Sequence, residues 1–157
     1  MYARILVATD GSATSDLAVE QAARLAKDQK AQLRIVHVVE QSRLAFAAAG
    51  PVAIDLEGVL EALRKFGKDA LERARAAASR LGVEAETAII GEDAVDDRVA
   101  VILVAEARRC GADLMVLGTH GRRGLDHLLM GSVAEAVARI APTHVLLVRT
   151  PTPPKKN

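Results

Sequence analysis

Apolar residues fall along this chain in two alternating rhythms, short unbroken runs and longer stretches in which they recur at helical spacing. A short run bounded by turn residues reads as a buried strand, and a repeat of about 3.6 residues as an amphipathic helix. Residues 4–9 (RILVAT) form the first run and stop at Asp10-Gly11-Ser12, a turn signal. Leu17, Ala18, Ala22, Leu25 and Ala26 then keep one helical face, with Ser12 or Ser15 placed to accept hydrogen bonds from the first free N–H groups. Residues 32–39 (QLRIVHVV) predict the second strand. Residues 40–57 have no clear period and are broken at Gly50-Pro51, so they predict a long connection.

From residue 58 to 81, Leu60, Leu63, Phe66, Ala70, Leu71, Ala74, Ala77, Ala78 and Leu81 share one face, and Gly82 supplies a stop. Residues 84–90 predict a third strand and 96–110 a helix ended by Gly111. Residues 113–117 (DLMVL) predict a fourth strand running into Gly118, 132–141 a last helix, and 143–149 a fifth strand. The tail, PTPPKKN, is expected to be disordered. Strands that alternate with helices need crossover connections. The expected class is therefore α/β, a three-layer sandwich with a mainly parallel sheet and helices on both faces, in one domain over residues 1–150.

Composition narrows the picture. A chain of 157 residues suits a single domain with a real core. Its apolar share is 50%, yet only Tyr2, Phe46 and Phe66 are aromatic, so the core must be Ala, Val, Leu and Ile. Lys and Arg total 21 against 20 Asp and Glu, and no basic run interleaves with aromatics, so a nucleic-acid partner is not implied. Cys110 is alone and completes no CxxC or zinc pattern, which fits a reducing cytoplasm. The chain enters a strand-like run at once, and no apolar stretch reaches about 18 residues, so neither secretion nor membrane spanning is expected.

In a doubly wound sheet, ligands sit beyond the carboxyl ends of the strands, where strand order reverses. Two turns there are chemically unusual: ATDGS, residues 8–12, with a carboxylate at a strand end, and GTHGRRGLDHLLMGS, residues 118–132. Glycines in the second let the main chain approach a ligand, and its N–H groups can converge on phosphate oxygens. Gly131-Ser132 opens the last helix, whose N-terminus carries unpaired N–H groups and the positive dipole end, so a polyphosphate is its natural occupant. Ser132 would add a hydroxyl donor. Taken alone, Gly118, Gly121 and Gly131 read as turns needing positive φ, and Asp10 as a turn or cap carboxylate. Arg122 and Arg123 suit a triphosphate but are loop arginines, mostly solvated as a class. His37, His127 and His144 read as surface or packing residues, and Cys110 as a small buried hydrophobe. No GxxxxGK[ST] or GxGxxG occurs, and Gly67-Lys68-Asp69 lies mid-helix with the wrong flanks.

The spacing Gly118-x2-Gly121-x9-Gly131-Ser132 resembles the G-2x-G-9x-G-[S/T] motif of nucleotide-binding universal stress proteins. ILVATDGS, LRIVHVV, ADLMVLGTHG and HVLLVR resemble the same family in the same order, over nearly the whole chain. Residues 40–57 and 91–98 match none of its motifs. The resemblance implies a five-stranded parallel sheet in the order 3-2-1-4-5, a homodimer, and ATP with Mg2+ at the carboxyl edge. By the same resemblance, Asp10 matches the aspartate near ribose and metal, with Ala8 beside it, and Val38 matches the position whose main chain reads adenine. Gly118, Gly121, Gly131 and Ser132 match the phosphate-cradling residues, Leu117 and Val133 flank them, and His120 takes a loop position that often holds a basic residue.

In that strand order the fifth strand is an edge, and residues 144–148 (HVLLV) are apolar on both faces, without Lys or an internal Pro. Such an edge is expected to pair with its twofold copy. Three other readings compete with ATP binding. Ser12, Asp10 and His120 invite a hydrolase reading, but no nucleophile elbow is present. ATPase or phosphotransfer chemistry needs a base that none of the motifs marks. An adaptor indifferent to ATP would have no need of the glycines. The expectation is an ATP-binding stress-response or signalling module in which any hydrolysis is slow.

Overall fold

The computed structural model describes residues 1–39, 55–92, 98–119 and 131–150. Strand β1 (Arg4–Ala8) buries Ile5, Leu6 and Val7 in succession, which requires that both of its faces be covered. Helices supply the covers. Ile5 and Val7 pack with Ala18, Val19 and Ala22 of α1 (Ala13–Gln29) and with Leu71, Ala74 and Ala78 of α2 (Leu56–Arg80). Leu6 packs on the other side with Leu103, Val104 and Ala107 of α3 (Val99–Cys110) and Val137 of α4 (Ser132–Ile140). β2 (Gln32–Val38) and β4 (Leu114–Gly118) flank β1, with β3 (Ala85–Ile90) and β5 (His144–Val148) outermost. The order is β3-β2-β1-β4-β5 and every pair is parallel, as the family resemblance implies.

The core follows from the composition. Met115 excepted, its large fully buried side chains are Ile, Leu and Val, each worth about 1.5–3 kcal/mol on burial. The helix faces that touch them are rich in alanine, which lets α1 lie close to the sheet. Where α1 starts, the approach is closer still. A Cβ on Gly118 would stand 2.9 Å from Thr14 Cγ2 and 3.1 Å from the Thr14 carbonyl carbon and oxygen.

Several boundaries differ from the sequence reading for local reasons. α2 begins at Leu56 rather than 58, because the Asp55 carboxylate accepts the Gly58 N–H at 3.0 Å and caps the helix. α4 stops at Ile140 because Ala141 precedes Pro142 and is held extended, at φ −62° and ψ 135°. β4 reaches Gly118, which stays in register with Val148. Gly111, at φ 65°, closes α3 as expected, and Gly82, at φ 78°, follows α2. Residues 93–97, most of the long connection (40–54) and the tail (151–157) lie outside the described residues.

A polar assembly ties β2, β3 and α3 together. Arg34 Nη1 meets Glu86 Oε1 at 2.6 Å, and its Nε meets Glu106 Oε1 at 2.6 Å. Arg109 Nη2 reaches the same Glu106 oxygen at 2.7 Å. Glu106 is only 6% exposed. Burial pushes its carboxyl up, but hydrogen bonds from Arg109 and Arg34, with their charges, outweigh this and hold it below the usual carboxylate range.

Candidate functional site

β1 is the strand at which the order of the sheet reverses, since β2 on one side follows it directly and β4 on the other does not. The crevice beyond the carboxyl ends of β1 and β4 is therefore where such a sheet places a ligand. Ala8 ends β1 opposite Val36, and Val38 lies farther along β2, in register with Ile90. Ala8, Val38, Leu117 and Val133 all pack on the α3–α4 side of the sheet. At the end of β4, the Thr119 N–H donates to Val148 O at 2.8 Å, and the Gly131 N–H donates to Thr119 O at 2.7 Å. The second bond pins the start of α4 to the end of β4. Ala8, Asp10, Val38, Leu117, Gly118, Gly131, Ser132 and Val133 thus share one edge of the sheet. His120 and Gly121, with Arg122, Arg123 and His127, lie outside the described residues.

The turn after β1 is closed by its own side chains. Asp10 Oδ1 accepts the Ser12 N–H at 3.0 Å, so Asp10 holds the turn. Ser12 Oγ accepts the Ser15 N–H at 3.2 Å, which makes Ser12 the cap of α1. The Ser15 hydroxyl donates back to Ser12 O at 2.8 Å and lies 3.1 Å from Thr9 Oγ1, which itself accepts the Gly11 N–H at 3.2 Å. Gly11 has φ 77°, and a Cβ there would meet Phe66 Cζ at 3.0 Å and Arg73 Nη2 at 3.2 Å. α2 therefore covers this turn, a role the sequence reading did not give to Phe66 or Arg73.

The glycines have separate reasons. Positive φ is required at neither Gly118 nor Gly131, so the turn reading fails at both. Gly118 makes room for α1, as its approach to Thr14 shows. Gly131, at φ −62° and ψ 144°, is the cap residue of α4 and has no side chain with which to cap it. Gly67 lies mid-helix, yet a Cβ there would stand 2.6 Å from His37 Cδ2. His37 is buried, and its Nδ1 lies 2.8 Å from Thr9 O. A carbonyl only accepts, so Nδ1 carries the proton. Cys110 is half-buried rather than buried, its thiol 3.6 Å from Ala107 O, and His144 is exposed and edge-on to Tyr2.

The profile of the universal stress protein family matches residues 1–149. The universal stress protein YxiE of Bacillus subtilis is 31% identical over 153 residues, 95% of this chain and 100% of that one. The chain belongs to the universal stress protein family. Among solved structures, a universal stress protein from Burkholderia pseudomallei is 34% identical, with a TM-score of 0.73 over 93% of this chain and 95% of that one. A universal stress protein in complex with cAMP is 27% identical, with a TM-score of 0.62 over 96% and 98%.

The opposite, amino edge of this universal stress protein carries an open groove of about 890 Å³, lined by Tyr2, Gln29, Asp113, Thr143 and His144 among others. Its carboxylate is engaged, because Asp113 accepts the Ala3 and Arg4 N–H groups at 2.8 and 3.1 Å. Among the described residues, no helix is long and apolar enough to cross a membrane, and no three His, Cys, Asp or Glu side chains cluster to hold a metal.

Proposed function

We propose that this universal stress protein binds an adenine nucleotide, ATP foremost, at the carboxyl edge of its sheet and serves as a stress-response or signalling module. One observation carries the reading: α4 starts at the end of β4 on a residue without a side chain, beside the switch point of the sheet. A helix start of that kind leaves N–H donors and the positive dipole end for an anion. The cAMP-bound relative supports adenine as the base. In this reading Val38 borders the adenine, Asp10 the ribose, and Gly118, Gly121, Gly131 and Ser132 the phosphates, with Ala8, Leu117, His120 and Val133 around them. The reading is of a cytoplasmic protein, in keeping with its single cysteine.

Magnesium fits only as a companion of the phosphates. Asp10 follows the end of β1 at this edge, and among the described residues no three His, Cys, Asp or Glu side chains cluster to hold a metal without help from the ligand. Mg2+ commonly takes one or two carboxylates and completes its shell with phosphate oxygens and water. Asp10 would hold the ion from the protein side, and the ion would neutralise phosphate charge. Asp10 and Ser12 are committed to the turn and the helix cap, which favours binding over hydrolysis. Calorimetric titration of the folded chain with ATP, with and without Mg2+, tests the proposal. Saturable binding strengthened by Mg2+ is expected, and no binding of ATP or cAMP would refute it.

We further propose that β5 joins two copies. It is an edge strand with Leu146 36% exposed and Val145, Leu147 and Val148 half-buried. Antiparallel pairing with a twofold copy would satisfy its free edge. Sedimentation equilibrium is expected to show a wild-type dimer at micromolar concentration and a largely monomeric Leu146→Pro, because proline removes a ladder donor. A folded proline variant as dimeric as the wild type would place the interface elsewhere.

A further inference from the structure

Thr9 is buried, and its carbonyl lies just past the end of β1, one peptide before Asp10. A buried carbonyl needs a donor. The Thr9 N–H is spent on Val36 O at 2.9 Å, and the donor to Thr9 O is the imidazole of His37, one residue past the end of the neighbouring strand's ladder with β1, at 2.8 Å. The ring is seated from above by α2, with Phe66 at a centroid distance of 6.0 Å and Gly67 directly over Cδ2. The same peptide plane that carries Thr9 O carries the Asp10 N–H, so its orientation sets where Asp10 leaves the strand. Asp10 in turn fixes Ser12, and Ser12 caps α1.

We propose that His37 is a positioning residue for the ligand edge: its Nδ1–H locks the Thr9–Asp10 peptide, and Gly67 of α2 is the space that keeps the ring in place. The inference rests on the nucleotide reading for its effect on affinity, and on geometry alone for its effect on the turn. It makes a helix outside the glycine motif part of what determines nucleotide affinity. Loss of the donor frees the peptide to turn its carbonyl toward water and carries the Asp10 carboxylate with it.

The test compares His37→Phe, which keeps a ring without a donor, with His37→Asn, whose amide nitrogen can take the place of Nδ1. ATP titration is read beside the amide NMR resonances of Gly11 and Ser12. His37→Phe is expected to shift both resonances and weaken ATP by about tenfold or more, whereas His37→Asn stays within about threefold of wild type. Should His37→Phe not fold, Gly67→Ala takes its place, since its Cβ would crowd Cδ2; the same shifts and a weaker ATP are expected. A folded His37→Phe or Gly67→Ala with wild-type resonances at Gly11 and Ser12 would overturn the proposal, as would His37→Asn behaving like His37→Phe. If the wild type binds no ATP, the nucleotide reading fails, and the resonances still decide the role of His37.

Discussion

Gly131→Val is expected to weaken ATP binding by about a hundredfold or more, roughly 2.7 kcal/mol, without unfolding the protein. The backbone at Gly131, φ −62° and ψ 144°, is extended and open to any residue, so valine brings no strain of the kind a positive φ would impose. Its N–H, which donates to Thr119 O, is also kept. What changes is the space at the start of α4, where a branched side chain would occupy the volume assigned to phosphate and shield the first N–H groups. Ser132→Ala removes a single donor and should cost about 0.5–1.5 kcal/mol, or up to roughly 3 against a charged phosphate. Titration of both folded variants checks the ranking, and wild-type affinity in Gly131→Val would remove the phosphate from this helix start.

The second large effect concerns stability. Glu106→Ala leaves the Arg34 guanidinium, 13% exposed, with Glu86 alone, and the loss is expected near 3 kcal/mol, at the low end for a broken buried pair because Glu86 remains. For a chain of this size that is a fall in Tm of about 6–12 °C. The pH dependence has a definite sign. Glu106 is depressed in the folded state, so its contribution is present above the ordinary carboxylate value of 4.5 and is lost as pH falls through the folded pKa. The deficit of Glu106→Gln relative to wild type should therefore shrink between about pH 5 and pH 2 in urea titrations. A deficit that stays constant over that range would mean that ionisation of Glu106 contributes nothing.

The legible part of this protein was set by local rules. Ile5-Leu6-Val7 and Leu114-Met115-Val116 are unbroken apolar runs because both faces of a central strand are covered, and a parallel sheet follows from them. Ser12 and Gly111 announce helix ends through their own chemistry. The positions that stayed illegible depend on partners distant in sequence. Gly67 gives room to His37, and Gly118 has Thr14 of α1 packed beside it, contacts that no spacing rule encodes. Glu106 looks like one more helix-surface charge until β2 brings Arg34 beneath it. Asp55 was different: its capping of Gly58 is a local signal, lost within a stretch that has no apolar period. At the candidate site, the position of the edge was readable from the turn at Asp10 and the start of α4. The cover that α2 gives through Phe66 and Arg73 was not.

The most direct test is a map of amide NMR shifts as ATP and Mg2+ are added to the isotopically labelled wild type. Binding at the carboxyl edge predicts saturable shifts concentrated at Ala8, Asp10, Val38, Gly118, Thr119 and residues 131–133. No shifts, or shifts concentrated instead at Tyr2, Gln29, Thr143 and His144 around the amino-edge groove, would contradict it.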